Sequence, residues 1–225
     1  MTADGERLSL GPIDCKRLVG REPFHDGGEA LGFDVLAFWR WSKSDLVSNA
    51  TRGVLAEYLV VQALGISDGC LREEWAECDP EAPDGTLVEV KSAAYIQSWH
   101  QEHLSQVSFR VPKTRGWDRE TNRQDDDPRR KADVYVFALL AHKDQATLNP
   151  LDVSQWQFYV LPTHVLDERG RSQHSITLPS LRALAGPVSF ASLRGAVEQA
   201  AAGQRAEAGD RSPGAEDPPP ATTSR

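Results

Sequence analysis

Residues 132–140, ADVYVFALL, limit what this chain can fold into more than any other stretch. After Asp133 the run is continuously apolar and rich in β-branched and aromatic residues. That is the pattern of a strand buried on both faces, and such a strand needs other elements packed above and below it. A second strand is predicted over 155–161. Weaker strand patterns lie over 74–82, 86–92 and 106–111. Between 45 and 64 Leu46, Ala50, Val54, Val61 and Leu64 recur at helical spacing, with Ser44 as the predicted N-cap and Gly65 as the stop. The apolar stretch 35–41 begins or precedes that helix, and 190–201 reads as a closing amphipathic helix. A helix, then a hairpin, then strands with helices between them make an α/β or α+β fold with a mixed sheet.

With 225 residues and 40% hydrophobic side chains, the chain is long enough for one sizeable core, so a single domain over 1–200 is expected. From 201 to 225 the composition turns to Ala, Gly, Glu, Pro and Ser with almost no large apolar side chain, the signature of a disordered tail. Residues 112–130, where Arg115, Arg119, Arg123, Arg129 and Arg130 alternate with acids, read as a long charged loop. The sequence has no eighteen-residue apolar run and no signal-peptide pattern at its start, so a soluble cytoplasmic protein with no membrane partner is expected. Three cysteines, Cys15, Cys70 and Cys78, without a CxxC pair indicate reduced structural thiols rather than a disulfide framework or a zinc knuckle. A net charge of -8 argues against a protein that coats nucleic acid through a general positive field, although binding depends on one face rather than on the sum.

Pro83, Asp84 and Gly85 fit a three-residue hairpin loop, Pro fixing φ early in the turn and Gly supplying the left-handed position at its end. If Ala82 pairs with Thr86, counting outward sets Asp79 opposite Glu89, with β-carbons about 5 Å apart. Lys91 then shares that face, and Val88 and Val90 point to the core. Two opposed carboxylates repel. A bound Mg²⁺ or Mn²⁺ would compensate, since hard cations take oxygen ligands, and Lys91 would also stabilise the pair. The plainer reading makes Glu89 and Lys91 the solvent face of an amphipathic strand. Pro80 interrupts the ladder and confines the first strand to an edge or makes it irregular. Glu57 falls in the helical stripe between Val54 and Val61. There it faces a metal or ordered water, pairs with a base such as Arg52 or Lys91, or sits at the stripe's edge.

Taken together, RGVLAEYL with Glu57 and ECDPEAPDGTLVEVKS with Asp79, Glu89 and Lys91 resemble the PD-(D/E)xK superfamily of restriction-endonuclease-like nucleases. The resemblance covers roughly residues 45–140. The literal Pro-Asp dipeptide, Pro83-Asp84, lies in the turn, so Asp79 is assigned, and a different loop would bring in Asp84 or Glu77. The resemblance implies a restriction-endonuclease-like core, with a mixed central sheet flanked by helices. It also implies metal-dependent phosphodiester hydrolysis of DNA that leaves a 5′-phosphate in most relatives. Asp79 and Glu89, with the Val90 carbonyl, would hold Mg²⁺ (or Mn²⁺). Glu57 would reach the metal directly or through water, and Lys91 would orient the attacking water and help deprotonate it.

Asn49, Gln97, Lys113 and Arg115 are the candidate substrate contacts. Tyr95 and Trp99, at i and i+4, are expected in the core of a short helix, and His100 and His103 on the surface. The motif identifies neither base nor sugar, so RNA stays open beside DNA. A cutter of duplex DNA usually acts as a dimer, which makes a homodimer one expected partner. The alternative is a catalytically inactive binding or scaffold subunit of a DNA-processing or defence complex that keeps the nuclease fold.

Overall fold

The computed structural model describes residues 10–66, 72, 80–118 and 121–210. It is a mixed α/β structure in which a three-stranded sheet packs against helices. The chain begins with β1 (Pro23–Asp26), β2 (Glu29–Asp34) and α1 (Val35–Lys43), followed by α2 (Asn49–Leu64). The central strands are β3 (Val88–Ala94), β7 (Val134–Leu140) and β8 (Trp156–Pro162). Between β3 and β7 lie the short β4 (Ser108–Arg110), β5 (Trp117–Asp118) and β6 (Arg123–Gln124). After β8 come α3 (Thr163–Asp167), β9 (Ser175–Thr177), α4 (Leu178–Arg182) and the long α5 (Leu193–Asp210). Among the described residues, no helix is long and apolar enough to cross a membrane.

The sheet order is β3-β7-β8, with β3 parallel and β8 antiparallel to the centre. All seven residues of β7 are buried, as its continuous apolar pattern requires. On one face Val134, Val136, Ala138 and Leu140 meet α2 and α5 through Ala56, Val60, Leu193 and Val197. On the other, Tyr135, Phe137 and Leu139 meet Phe109, Leu166, Ile176 and Leu181, with the Phe109 and Phe137 rings edge-on at 5.1 Å. Asp133 pins the register of β3 to β7. Its carboxylate accepts the Leu87 N–H at 2.9 Å, and its own N–H donates to the Leu87 carbonyl at 2.8 Å.

Four expectations need correction. The expected helix over 45–64 starts later, at Asn49, and its N-cap is Ser48, whose side chain accepts the Thr51 N–H. Ser44 instead closes α1 as its C-cap. The stop is as expected: Gly65 takes the left-handed conformation at φ 67°. The buried stripe of α2 is Arg52, Ala56, Leu59, Val60 and Leu64 rather than the one through Val54 and Val61. Apolar side chains nearly encircle this helix, so periodicity alone does not choose the inward face, and Glu57 sits at the edge of the stripe.

The closing helix also runs past 201. It continues to Asp210 because Ala, Gln, Arg and Glu are good helix formers, and two of its polar side chains are anchored. Gln204 accepts the His164 N–H at 2.9 Å, and Arg205 donates to Thr86 at 3.2 Å. Residues 211–225 lie outside the described residues. Lastly, the expected charged loop contains the small β5–β6 ladder and a Thr114–Arg129 bridge.

Candidate functional site

The hairpin turn forms as its residues dictate. Ala82 donates its N–H to the Thr86 carbonyl at 2.9 Å, Gly85 donates to the Ala82 carbonyl at 2.9 Å, and Glu81 bridges Leu87. The register is described as far as Pro80, whose carbonyl accepts the Val88 N–H at 3.2 Å. Asp79, most of the strand expected over 74–82, and Glu77 lie outside the described residues. Gly85 has φ 82°, and a Cβ built there would meet only Glu81 Oε1 at 3.9 Å, so a side chain would suffer from the backbone conformation and not from crowding. Gly85→Ala is expected to cost about 1 kcal/mol, roughly 2–4 °C in Tm, in a thermal melt.

Asp84, at the tip, has its carboxyl held below the usual carboxylate range, first by the Thr86 hydroxyl, then by the Thr86 N–H, and also by Arg205. Because the folded-state pKa is depressed, this stabilisation is present above the ordinary carboxylate range and is lost as pH falls through the lowered value. Wild type should therefore melt above Asp84→Asn at neutral pH, with the gap closing in acid. An equal gap at both ends of the Tm–pH profile would rule out the charge as its source.

Glu89 and Lys91 alternate with buried Val88 and Val90 along β3 and share one side of the strand. Both are half-buried, and the Lys91 ammonium is ion-paired to the Glu89 carboxylate. Their parallel neighbours on β7 are Tyr135 and Phe137, so one flank of the pair is a dry aromatic wall. The cavities lined by Asp84, Thr86 and Arg194 (about 170 Å³) and by Leu161, Val165 and Ala200 (about 350 Å³) include neither residue.

Glu57 is not joined to this pair. Its carboxylate, 16% exposed, is held by the Arg72 guanidinium, with Nη2 donating to Oε1 at 3.1 Å. The partner is thus Arg72 rather than Arg52 or Lys91. Among the described residues no group of three or more His, Cys, Asp or Glu side chains is arranged to hold a metal. Mg²⁺ needs less than that, since one or two carboxylates commonly bind it with waters completing the octahedron. The half-buried Glu89 carboxylate is a suitable hard donor, and Asp79 lies outside the described residues.

Of the expected substrate contacts, Asn49 and Gln97 meet each other through a residue whose role the sequence did not reveal. Arg52, 3% exposed, donates to Asn49 Oδ1 at 2.7 Å, Gln97 Oε1 at 3.3 Å, Ser92 Oγ at 3.3 Å and the Val47 carbonyl at 2.9 Å. Burial lowers its pKa, yet a guanidinium remains charged. Gln97 also donates to Ala94 and Ser105, so both amides are structural parts of a network spanning α2 and the end of β3. Lys113 lies 3.4 Å from Asp167, and Arg115 is exposed. Both belong to the connection between β3 and β7.

The expected short helix around Tyr95 and Trp99 does not form. Tyr95 packs half-buried under Lys143, whose ammonium is 4.6 Å from the ring centre, and Trp99 is 55% exposed. Hydrogen bonds from Gln97 and Gln101 side chains shape this stretch instead and compete with the helical pattern. His100 and His103 are exposed.

No family model matches this sequence, and no curated protein matches it.

Proposed function

We propose that this chain is a divalent-metal-dependent nuclease of the PD-(D/E)xK, restriction-endonuclease-like type that hydrolyses phosphodiester bonds in DNA. The observation that carries the reading is the ion-paired Glu89 and Lys91 on one face of β3, beside a turn with the register that the motif needs. A carboxylate and an ammonium two residues apart on a rigid strand keep a fixed separation. In this reading Glu89 binds the cation, Asp79 joins it, and Lys91, once the cation has displaced its ion pair and its ammonium has given a proton to solvent, orients the attacking water and takes up that water's proton. Mg²⁺ or Mn²⁺, when bound, acidifies that water and neutralises charge on the phosphate oxygens. The half-buried setting of the pair strengthens its electrostatics relative to open water.

The Glu57–Arg72 pair favours a second reading, a non-catalytic subunit that keeps the fold for binding. A helix glutamate held by an arginine on a different segment from Glu89 and Lys91 can serve the fold without a metal.

Thermal melts with and without Mn²⁺ separate the two. At tenfold excess over Kd, binding to the folded state is expected to add roughly 1.4 kcal/mol to wild type. Asp79→Ala and Glu89→Ala should each abolish the shift and the nicking of supercoiled plasmid. A wild type that gives neither shift nor nicking, with substitutions that raise Tm by relieving repulsion, would leave the binding-subunit reading.

A further inference from the structure

We propose that residues 110–115 and 167–174 together form a docking face for the phosphate backbone of duplex DNA, one that works without the metal. The inference deepens the nuclease reading and rests on it for the choice of ligand.

The observation is a concentration of positive charge on an acidic chain. The net charge is -8, yet these two segments hold Arg110, Lys113, Arg115, Arg169 and Arg171 against Asp167 and Glu168 alone. The fold joins them. Arg110 lies opposite Ser175 in the β4–β9 ladder, and Val111 donates its N–H to the His174 carbonyl at 2.8 Å. The buried Arg130 guanidinium ties the segments further, donating to the Val111 carbonyl at 2.7 Å and the Gln173 carbonyl at 2.8 Å.

The cations here are under-compensated. Arg130 Nη1 is 2.5 Å from Asp167 Oδ1 and Lys113 Nζ is 3.4 Å from it, so one carboxylate oxygen answers two charges. Among the described residues, Arg130 Nε is buried without an acceptor. Arg169 has its pKa lowered, first by burial and then by the charges of Arg130 and Arg171. The adjoining acids, Asp125, Asp126 and Asp127, are matched in number by Arg129, Arg130 and Lys131, and Asp125 is 2.8 Å from Lys131.

Gathering like charges is unfavourable unless a ligand of opposite sign offsets it. Arg110, Lys113, Arg115 and Arg171 are exposed, and guanidinium forks match phosphate oxygens. Neither segment contains Phe, Tyr or Trp, so unpaired bases would find no ring to stack on, and the backbone of a duplex fits better than a single strand. Val111 and Ile176 pack in the same core as Tyr135, the β7 neighbour of Glu89. The docked backbone therefore lies on the side of the sheet that carries Glu89 and Lys91.

Fluorescence anisotropy of a labelled duplex of about 20 base pairs, titrated with the full chain in EDTA over a range of salt, tests the face without cleavage. Wild type is expected to bind, with affinity falling as salt rises. Arg115→Glu and Arg171→Glu should each weaken binding at least about fivefold and reduce the salt slope by about one. Lys43→Glu, the same charge change on exposed α1, should alter Kd less than about twofold. All three positions are exposed, so Tm should hold, and Arg171→Gln reads the same loss of slope where a reversal disturbs folding. A wild type that does not bind, or reversals no more harmful than Lys43→Glu, overturns the proposal. So does a single strand of equal length, or polyglutamate, that competes as well as unlabelled duplex. Binding in EDTA without plasmid nicking in Mn²⁺ would remove the nuclease reading and leave this face standing. Nicking untouched by either reversal would do the opposite.

Discussion

Replacing Lys91 with alanine is expected to lower plasmid cleavage about 10³-fold while leaving Mn²⁺-induced stabilisation in place. A positioned proton-transfer group contributes roughly 10²–10⁴-fold, and loss of its charge near the scissile phosphate adds to that. The metal response should survive, because Glu89 keeps its carboxylate and loses a competing cation. The two side chains therefore separate. Glu89→Ala should abolish both metal stabilisation and cleavage, and Lys91→Ala only cleavage. Lys91→Arg should not restore activity, since a guanidinium stays protonated and cannot take up the proton. Stability sets the control. A partly exposed ion pair contributes about 0–1 kcal/mol, so Lys91→Ala should move Tm by no more than roughly 2–4 °C. If cleavage is unchanged and only Tm falls, the pair is structural and the nuclease assignment fails at its central residue.

What the sequence revealed, and what it concealed, follows the range of the interactions involved. β7 was legible because burial on both faces imposes an unbroken apolar run, which nothing else of that length in the chain shows. The turn at Pro83, Asp84 and Gly85 was legible to the residue, since its chemistry is local: a fixed φ, a tip acid and a left-handed glycine. The start of α2 was harder, because Ser44 and Ser48 are both good capping residues and the choice depends on the turn that Asp45 makes with the Val47 and Ser48 N–H groups at 3.1 Å.

The candidate site was legible only in part. Alternation fixed Glu89 and Lys91 on one side of a strand, but the partner of Glu57 is fifteen residues away at Arg72. Only the folded path of the chain brings the two together. Trp99 shows the same limit from the other side. Its i, i+4 relation to Tyr95 suggested a buried helical pair, and the amide hydrogen bonds of Gln97 and Gln101 selected another conformation.

Arg52 is the residue whose importance the sequence hid most completely, and its removal is expected to cost about 3 kcal/mol, roughly 6–12 °C in Tm. Its acceptors are all neutral: Asn49, Gln97, Ser92 and the Val47 carbonyl. Burying a cation among neutral dipoles is itself costly, and part of that cost would be relieved in Arg52→Leu. The substitution still destabilises because it strips several acceptors, half-buried at Val47, Ser92 and Gln97, of hydrogen bonds from a charged donor, at about 1.5 kcal/mol or more each. Arg52→Lys should recover little, since one ammonium cannot span sites that a planar fork reaches together. A double-mutant cycle separates network from bulk. Gln97→Leu should cost about 1 kcal/mol less when Arg52 is already Leu, because its acceptor has lost its donor. Strict additivity would mean that the hydrogen bonds contribute nothing as a unit. The network also ends on Ser92, the residue after Lys91, so it fixes the end of the strand that presents the candidate site. Loss of Arg52 should therefore reduce cleavage at temperatures where the fold is still intact, without changing the Mn²⁺ dependence set by Glu89.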